Sequence, residues 1–364
     1  MTGRQRLVAV MNGEPVDRLA WTVLVDDNTL SALPDRAVAH SGIEFARHLG
    51  CDILQLEGWG TPHSFRSPAL EWGADATETR YTDGGDEIRD LRGPRGTLRS
   101  VCRRGHPVRY PVETLSDVRA YTALWESARY VPRDDRSATD AVDRMVGDDG
   151  LVMRFWGPST IPRLLQYDIG VAPFYYLLQD HRRDMERLIA TMHERELEAF
   201  KILAGGPCAV VALVENTSTA YISPDVYRRY NGPHVRDFVE AVHAAGKTAI
   251  VHMCGHIKGL LPLIGHTGLD GIHALTPPPT GDTPWEMALD ALGAGTVIVG
   301  LLDPSVFVQG PVEAIGGALE RLYSPRLRAS SVILCLAADG LTVSVDRFEA
   351  VARWMAAHAD TPAG

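Results

Sequence analysis

The chain has 364 residues, 45% of them hydrophobic, with a formal charge of -10 and a pI near 5.7. That acidity excludes nucleic acid or an anionic membrane surface as the main partner, and no apolar run is long enough to span a bilayer. Five cysteines, at 51, 102, 208, 254 and 335, are odd in number and scattered, which suits reduced thiols rather than a disulfide framework.

Met1–Arg6 leads into an amphipathic helix over about 3–12 rather than into a signal-peptide core, so a soluble, cytoplasmic protein is expected. Apolar runs then recur at 19–25, 52–56, 151–155, 209–214, 247–252, 270–274, 296–301 and 331–335. Long helical patterns follow several of them, at 180–203, 224–245, 311–323 and 345–358. Strands alternating with helices predict a parallel sheet covered by helices. Eight runs predict a (β/α)8 TIM barrel, one domain spanning 1–364. A doubly wound open sheet competes, but no Gly-rich dinucleotide fingerprint follows the first strand. Residues 76–112 break the rhythm with short polar strands and Gly-containing turns, the pattern of an inserted β-meander. Rising between the second and third strands, it is expected either to cap substrate or to serve as a cover or homo-oligomer contact. The tail 360–364 is expected to fray.

The chemistry gathers at strand ends. Lys247–Val251 is β-branched and flanked by Gly246 and Gly255, so it delivers His252 and Cys254 at its C-terminal tip. Residues i and i+2 of a strand share a face, so both can converge on one ion. Glu215, His273, Asp303 and Cys335 also sit at C-terminal strand ends, which in a barrel form one shared face. His252, Cys254 and Cys335 make a candidate zinc site with a fourth position for substrate. Glu215 and His273 compete as the remaining ligand or as neighbours of the ligands, and each has a plainer reading, as a loop cap and a satisfied core histidine. His256, just beyond Cys254, either faces the site or begins the next helix. Cys51, Cys102 and Cys208 read as small core hydrophobes. Zinc held by thiolates is a poor generator of hydroxide and a good holder of a substrate thiolate, which favours alkyl transfer over hydrolysis.

Several segments carry a family likeness: Arg4–Arg18 with its Asp-Arg turn, Trp156-Gly-Pro-Ser-Thr160, Ile222–Tyr227, His252-Met-Cys-Gly255, Thr276–Asp282 and Gly300-Leu-Leu-Asp-Pro304. On these the chain resembles the uroporphyrinogen decarboxylase superfamily, and within it the zinc-dependent methylcobamide methyltransferases. True uroporphyrinogen decarboxylases carry an Arg-rich segment after the first strand, where this chain has the acidic Val23–Thr29. The methyltransferase branch is defined by His-x-Cys and a distant Cys, supplied here by His252, Cys254 and Cys335. Its last cysteine usually stands nearer the following Gly, here Asp339-Gly340. Cobalamin-independent methionine synthase, with a similar ligand set, adds a Glu where this chain has His273-Ala274-Leu275.

The resemblance implies a (β/α)8 barrel that moves a methyl group between a small thiol or methyl ether and a corrinoid. The cofactors implied are Zn2+ and methylcobalamin, the latter an exchangeable co-substrate or carried by a separate corrinoid protein. His252, Cys254 and Cys335 would hold zinc; Glu215 would be a fourth ligand or acid/base group. His273, Asp303 and His256 would position substrate, and Trp59 and Trp156 would line an apolar pocket. The rivals are a metal-free decarboxylase or lyase of the superfamily and a non-catalytic corrinoid- or tetrapyrrole-binding barrel.

Overall fold

The computed structural model describes residues 1–31, 39–338 and 341–359; Asp339-Gly340 and the tail from Asp360 lie outside the described residues. Eight parallel strands form the barrel: β1 (Ala20–Leu24), β2 (Ile53–Leu56), β3 (Gly150–Trp156), β4 (Val210–Val214), β5 (Thr248–His252), β6 (Gly271–Leu275), β7 (Val297–Leu301) and β8 (Val332–Ala337). Each coincides with one of the eight apolar runs. Seven parallel ladders connect them in the order β1-β8-β7-β6-β5-β4-β3-β2. The seam between β1 and β2 is bridged by Asp52 N–H donating to Trp21 O at 2.9 Å and Leu54 N–H donating to Thr22 Oγ1 at 3.1 Å. These strands are buried on both faces, which is why they read as continuous apolar runs rather than alternating ones.

Inside the barrel Leu54, Met153, Ala212, Ile250, Val299 and Ile333 belong to one apolar cluster, and a larger cluster lies between the strands and the helices. Helix α1 (Gly3–Met11), begun by a Thr2/Gln5 capping box, sends Leu7 and Val10 into the inner cluster and so packs against the barrel interior. Its Arg6 is buried and pairs with Asp52 at 2.5 Å and with Asp17 at 2.7 Å.

The inserted meander consists of strands Thr77–Asp83, Asp86–Gly93, Gly96–Arg103 and His106–Arg109, joined antiparallel. Leu91 and Leu98 bury against the outer cluster that contains Leu124 of the helix Leu115–Ser127. Paired Arg99–Asp90 and Arg103–Asp86 cover its exposed side.

Helices α2 (Val171–Asp180) and α3 (Arg182–Ala204) follow β3, the second matching the 180–203 pattern. The pattern over 224–245 is not one helix. It breaks into a turn at Pro224–Val226, a π-helical turn at Tyr227–Asn231 and helix α4 (Gly232–Ala244). Pro233 explains the break: it has no N–H for the Arg229 carbonyl, and its ring would clash there in a regular α-helix. The 311–323 pattern shortens to Ala314–Leu322 and the last helix runs Val345–Ala357. Among the described residues no helix is long and apolar enough to cross a membrane.

Candidate active site at the barrel mouth

A cleft of about 540 Å³ opens at the C-terminal ends of the strands. It is lined by Leu24 and Asp26 after β1, by Leu56, Glu57 and Trp59 after β2, and by Phe155, Val214, Asn216, His252 and His273. Its volume suits a small-molecule ligand. Among the described residues no Lys or Arg lines it. The Glu57 carboxylate pairs with Arg154, and its Oε1 accepts the Phe155 N–H at 2.9 Å.

His252 and His273 stand side by side on β5 and β6, registered as direct neighbours. Their Nδ1 atoms lie 2.7 Å apart, so one donates a proton and the other accepts it. Burial lowers His252 to about 4; burial, and then the neighbouring His252, hold His273 well below the usual imidazole range. At neutral pH the pair is therefore uncharged. Phe155 meets both rings edge-on, at 5.4 and 5.5 Å between centroids.

An irregularity follows His273 directly. The β6–β7 register shifts between His273 and Leu275, and the intervening Ala274 has φ +63°. His273 faces inward in regular register with His252 and Val299, and the extra residue lets Ala274 join the inner cluster as well. Glu57 and Asn216, both lining the cleft, also hold left-handed backbone, each at φ +47°. Three non-glycine residues in this sparsely populated region mark the mouth as the strained end of the barrel.

Cys254 follows β5 and is exposed; its thiol donates to Asn216 Oδ1 at 3.8 Å, placing it beside the cleft wall. Gly255 is what lets this loop pack down. A Cβ there would lie 2.4 Å from Ser218 Cβ and 2.5 Å from Thr217 O. Cys335 is buried in the inner cluster, registered with Thr22 on one side and Leu301 on the other. Leu24, which lines the cleft, pairs with Ala337, so Cys335 lies one inward-facing layer below the mouth.

The remaining sequence-derived residues divide. Trp59 lines the cleft and is 39% exposed. Trp156 instead packs in the helix layer against Tyr130 and Phe200, at 5.8 and 6.0 Å between centroids. Glu215 is fully buried and does not border the cleft; Asn231 of the π-helical turn donates to its Oε2. Burial raises its carboxyl to about 8, outweighing the hydrogen bonds that favour the anion. Asp303 staples two loops, accepting from Thr280 N at 2.9 Å and Ser305 N at 2.8 Å. Its burial would push the carboxyl up, but these bonds win and hold it below its ordinary value. His256 is exposed, with Nε2 3.2 Å from Thr280 O. No meander residue borders the cleft. Asp26, Glu57, Phe155 and Asn216 are site residues that the sequence reading did not select. Their signal was position alone, at or just after the tip of a strand.

Residues 157–358 match the family model described as uroporphyrinogen decarboxylase (URO-D). Over 98% of this chain and 99% of the other, the fold is similar to that of a methyltransferase from Methanosarcina mazei, with a TM-score of 0.59 at 15% sequence identity. No curated protein matches the chain.

Proposed function

Since the chain belongs to the uroporphyrinogen decarboxylase family, we propose that it is a zinc-dependent methyltransferase of that family. It would move a methyl group between a small thiol or methyl ether and a corrinoid, either an exchangeable methylcobalamin or one presented by a partner protein. The observation that carries this reading is the neutral His252 at the mouth with Cys254 two residues further along the same strand tip. With His252 Nδ1–H given to His273, the Nε2 lone pair is left for a metal, the arrangement by which a neighbouring group fixes a ligand's tautomer. Cys254 and Cys335 would supply the two thiolates of the proposed donor set; their sulfurs and the His252 ring are not gathered within 4.8 Å of one another here, so metal binding has to draw the Cys254 loop inward over Cys335. Glu215, neutral and turned into the helix layer, is left out of it.

Bound zinc would supply a Lewis acid that holds a sulfur or oxygen of the substrate in its nucleophilic form. The chain's own groups do the rest. His273 fixes His252, and Asn216 orients the Cys254 thiol. Phe155, Trp59, Leu24, Leu56 and Val214 wall a small apolar substrate away from water. Among the described residues that line it, the cleft has two carboxylates and no cation, a lining poorly suited to a polycarboxylate tetrapyrrole, which supports the methyltransferase reading over porphyrinogen decarboxylation.

The test is zinc content together with methyl transfer. Freshly purified protein should hold zinc and demethylate methylcobalamin with one member of a panel of thiols, or charge a corrinoid from an aryl methyl ether. Cys254→Ser should abolish the transfer. Only trace zinc together with full activity of Cys254→Ser would end this reading and leave a metal-free lyase.

A further inference from the structure

Outside the barrel mouth, two packed helices carry matching pairs of residues. Helix α3 presents His193 and Glu196; helix α4 presents His234 and Asp237. Each pair is a histidine followed three positions later by a carboxylate, a spacing that puts both side chains on one helix face. The faces meet. His193 Nε2 lies 2.7 Å from Asp237 Oδ2 and His193 Nδ1 lies 3.4 Å from Glu196 Oε2. One donor atom from each of His193, Glu196 and His234 falls within 4.8 Å of the others.

Burial makes this cluster unusual. Glu196 is 2% exposed and His234 6%, and His234 Nδ1 has no hydrogen-bond partner. A buried polar atom left unpaired costs stability, so its retention calls for a ligand. The two imidazoles are stacked with centroids 3.5 Å apart and planes 4° from parallel. In the stack the ring planes run parallel, and both His193 nitrogens face carboxylates that a bound ion would share. An ion shared by both rings requires one of them to turn about its Cβ–Cγ bond, and His234 has no Nδ1 hydrogen bond to lose.

We propose that His193, Glu196, His234 and Asp237 form a second metal site, clamping α3 to α4 through two imidazole nitrogens and two carboxylate oxygens. Paired histidines and carboxylates at i, i+3 on facing helices are a donor set for a divalent first-row transition ion such as zinc. The site contains no thiolate and is independent of the ligand set proposed at the mouth. It clamps the region next to Glu215, because α4 starts directly after Asn231, which holds that carboxyl.

Zinc counting on four versions of the full chain separates the two sites. After metal removal, equilibration with Zn2+ and gel filtration, His193→Gln should hold one zinc fewer than the wild-type chain. Cys254→Ser, an exposed change, should keep one zinc that His193→Gln removes when the two are combined. Asp237→Asn, at the partly exposed edge of the cluster, should keep the fold and weaken that zinc at least tenfold in calorimetry. The Co2+ derivative of Cys254→Ser should show ligand-field bands that are lost with His193→Gln. An unchanged zinc count in folded His193→Gln, or unaltered affinity in Asp237→Asn, would overturn the clamp. If the mouth binds no zinc, wild type and Cys254→Ser hold one each and His193→Gln none, so failure there is distinguishable from failure here.

Discussion

His252 and His273 share a single Nδ1–Nδ1 hydrogen bond of 2.7 Å across the β5–β6 ladder. Burial keeps both rings neutral, so the contact couples their tautomers: a proton on one Nδ1 requires a lone pair on the other. His273 is thereby a positioning residue for His252.

That coupling sets the first expectation. His273→Ala removes the partner but not the strand-end ligand, and losses of this kind weaken metal binding by roughly 10- to 100-fold. Measured by chelator competition in a His193→Gln background, zinc affinity at the mouth should fall by that amount, while His252→Ala abolishes it. Unchanged affinity in His273→Ala would mean that the imidazole contact does not orient the ligand.

Glu215 gives a pH dependence with a definite sign. Its folded carboxyl sits at about 8, whereas an unfolded glutamate titrates near 4.3. Between these values the folded state binds the extra proton, so stability is fully present below about 4.3. It is lost as pH rises toward 8. The loss is on the order of a few kcal/mol across the window. Glu215→Gln keeps an oxygen for Asn231 and removes the titration. Urea unfolding at several pH values should show the variant flat where the wild type declines, with the gain largest near pH 8.

How much of this was legible in the sequence follows from the period of a strand. The eight barrel strands stood out because strands buried on both faces are unbroken apolar runs. Which strand-end residues face the mouth is a question of parity instead. Phe155 and Val214 line the cleft, so the next residues, Trp156 and Glu215, turn outward into the helix layer although both lie at strand tips. Parity held for His252, and a bulge at Ala274 reset it beside His273. The bulge and the π-helical turn that aims Asn231 at Glu215 are backbone irregularities. Apart from Pro233 they leave no periodic trace in side-chain chemistry.

Trp59 offers a test of the cleft as a binding surface. It is partly exposed and lies on the wall, so Trp59→Ala should cost little stability. Losing its face from the pocket should raise KM by about 3- to 10-fold, the scale of one aromatic contact. Thermal melts unchanged within error, together with a raised KM, would place substrate against this wall; an unchanged KM would place it elsewhere.

Gly255 tests whether the position of the loop carrying Cys254 matters. An alanine Cβ there would collide with Ser218 Cβ and Thr217 O at 2.4 and 2.5 Å, and the backbone oxygen cannot swing away as a side chain can. Overpacking of this kind costs about 1–3 kcal/mol and moves the loop. Gly259 is the matched control: a Cβ there meets only Thr219 Cγ2, at 3.7 Å, an ordinary contact. Gly255→Ala should therefore lower the melting temperature and lose both zinc at the mouth and methyl transfer, because Cys254 shifts away from Asn216. Gly259→Ala should stay within about 0.5 kcal/mol of wild type with its activity intact. Equal behaviour of the two variants would show that the close packing of this loop does not set the geometry of the site.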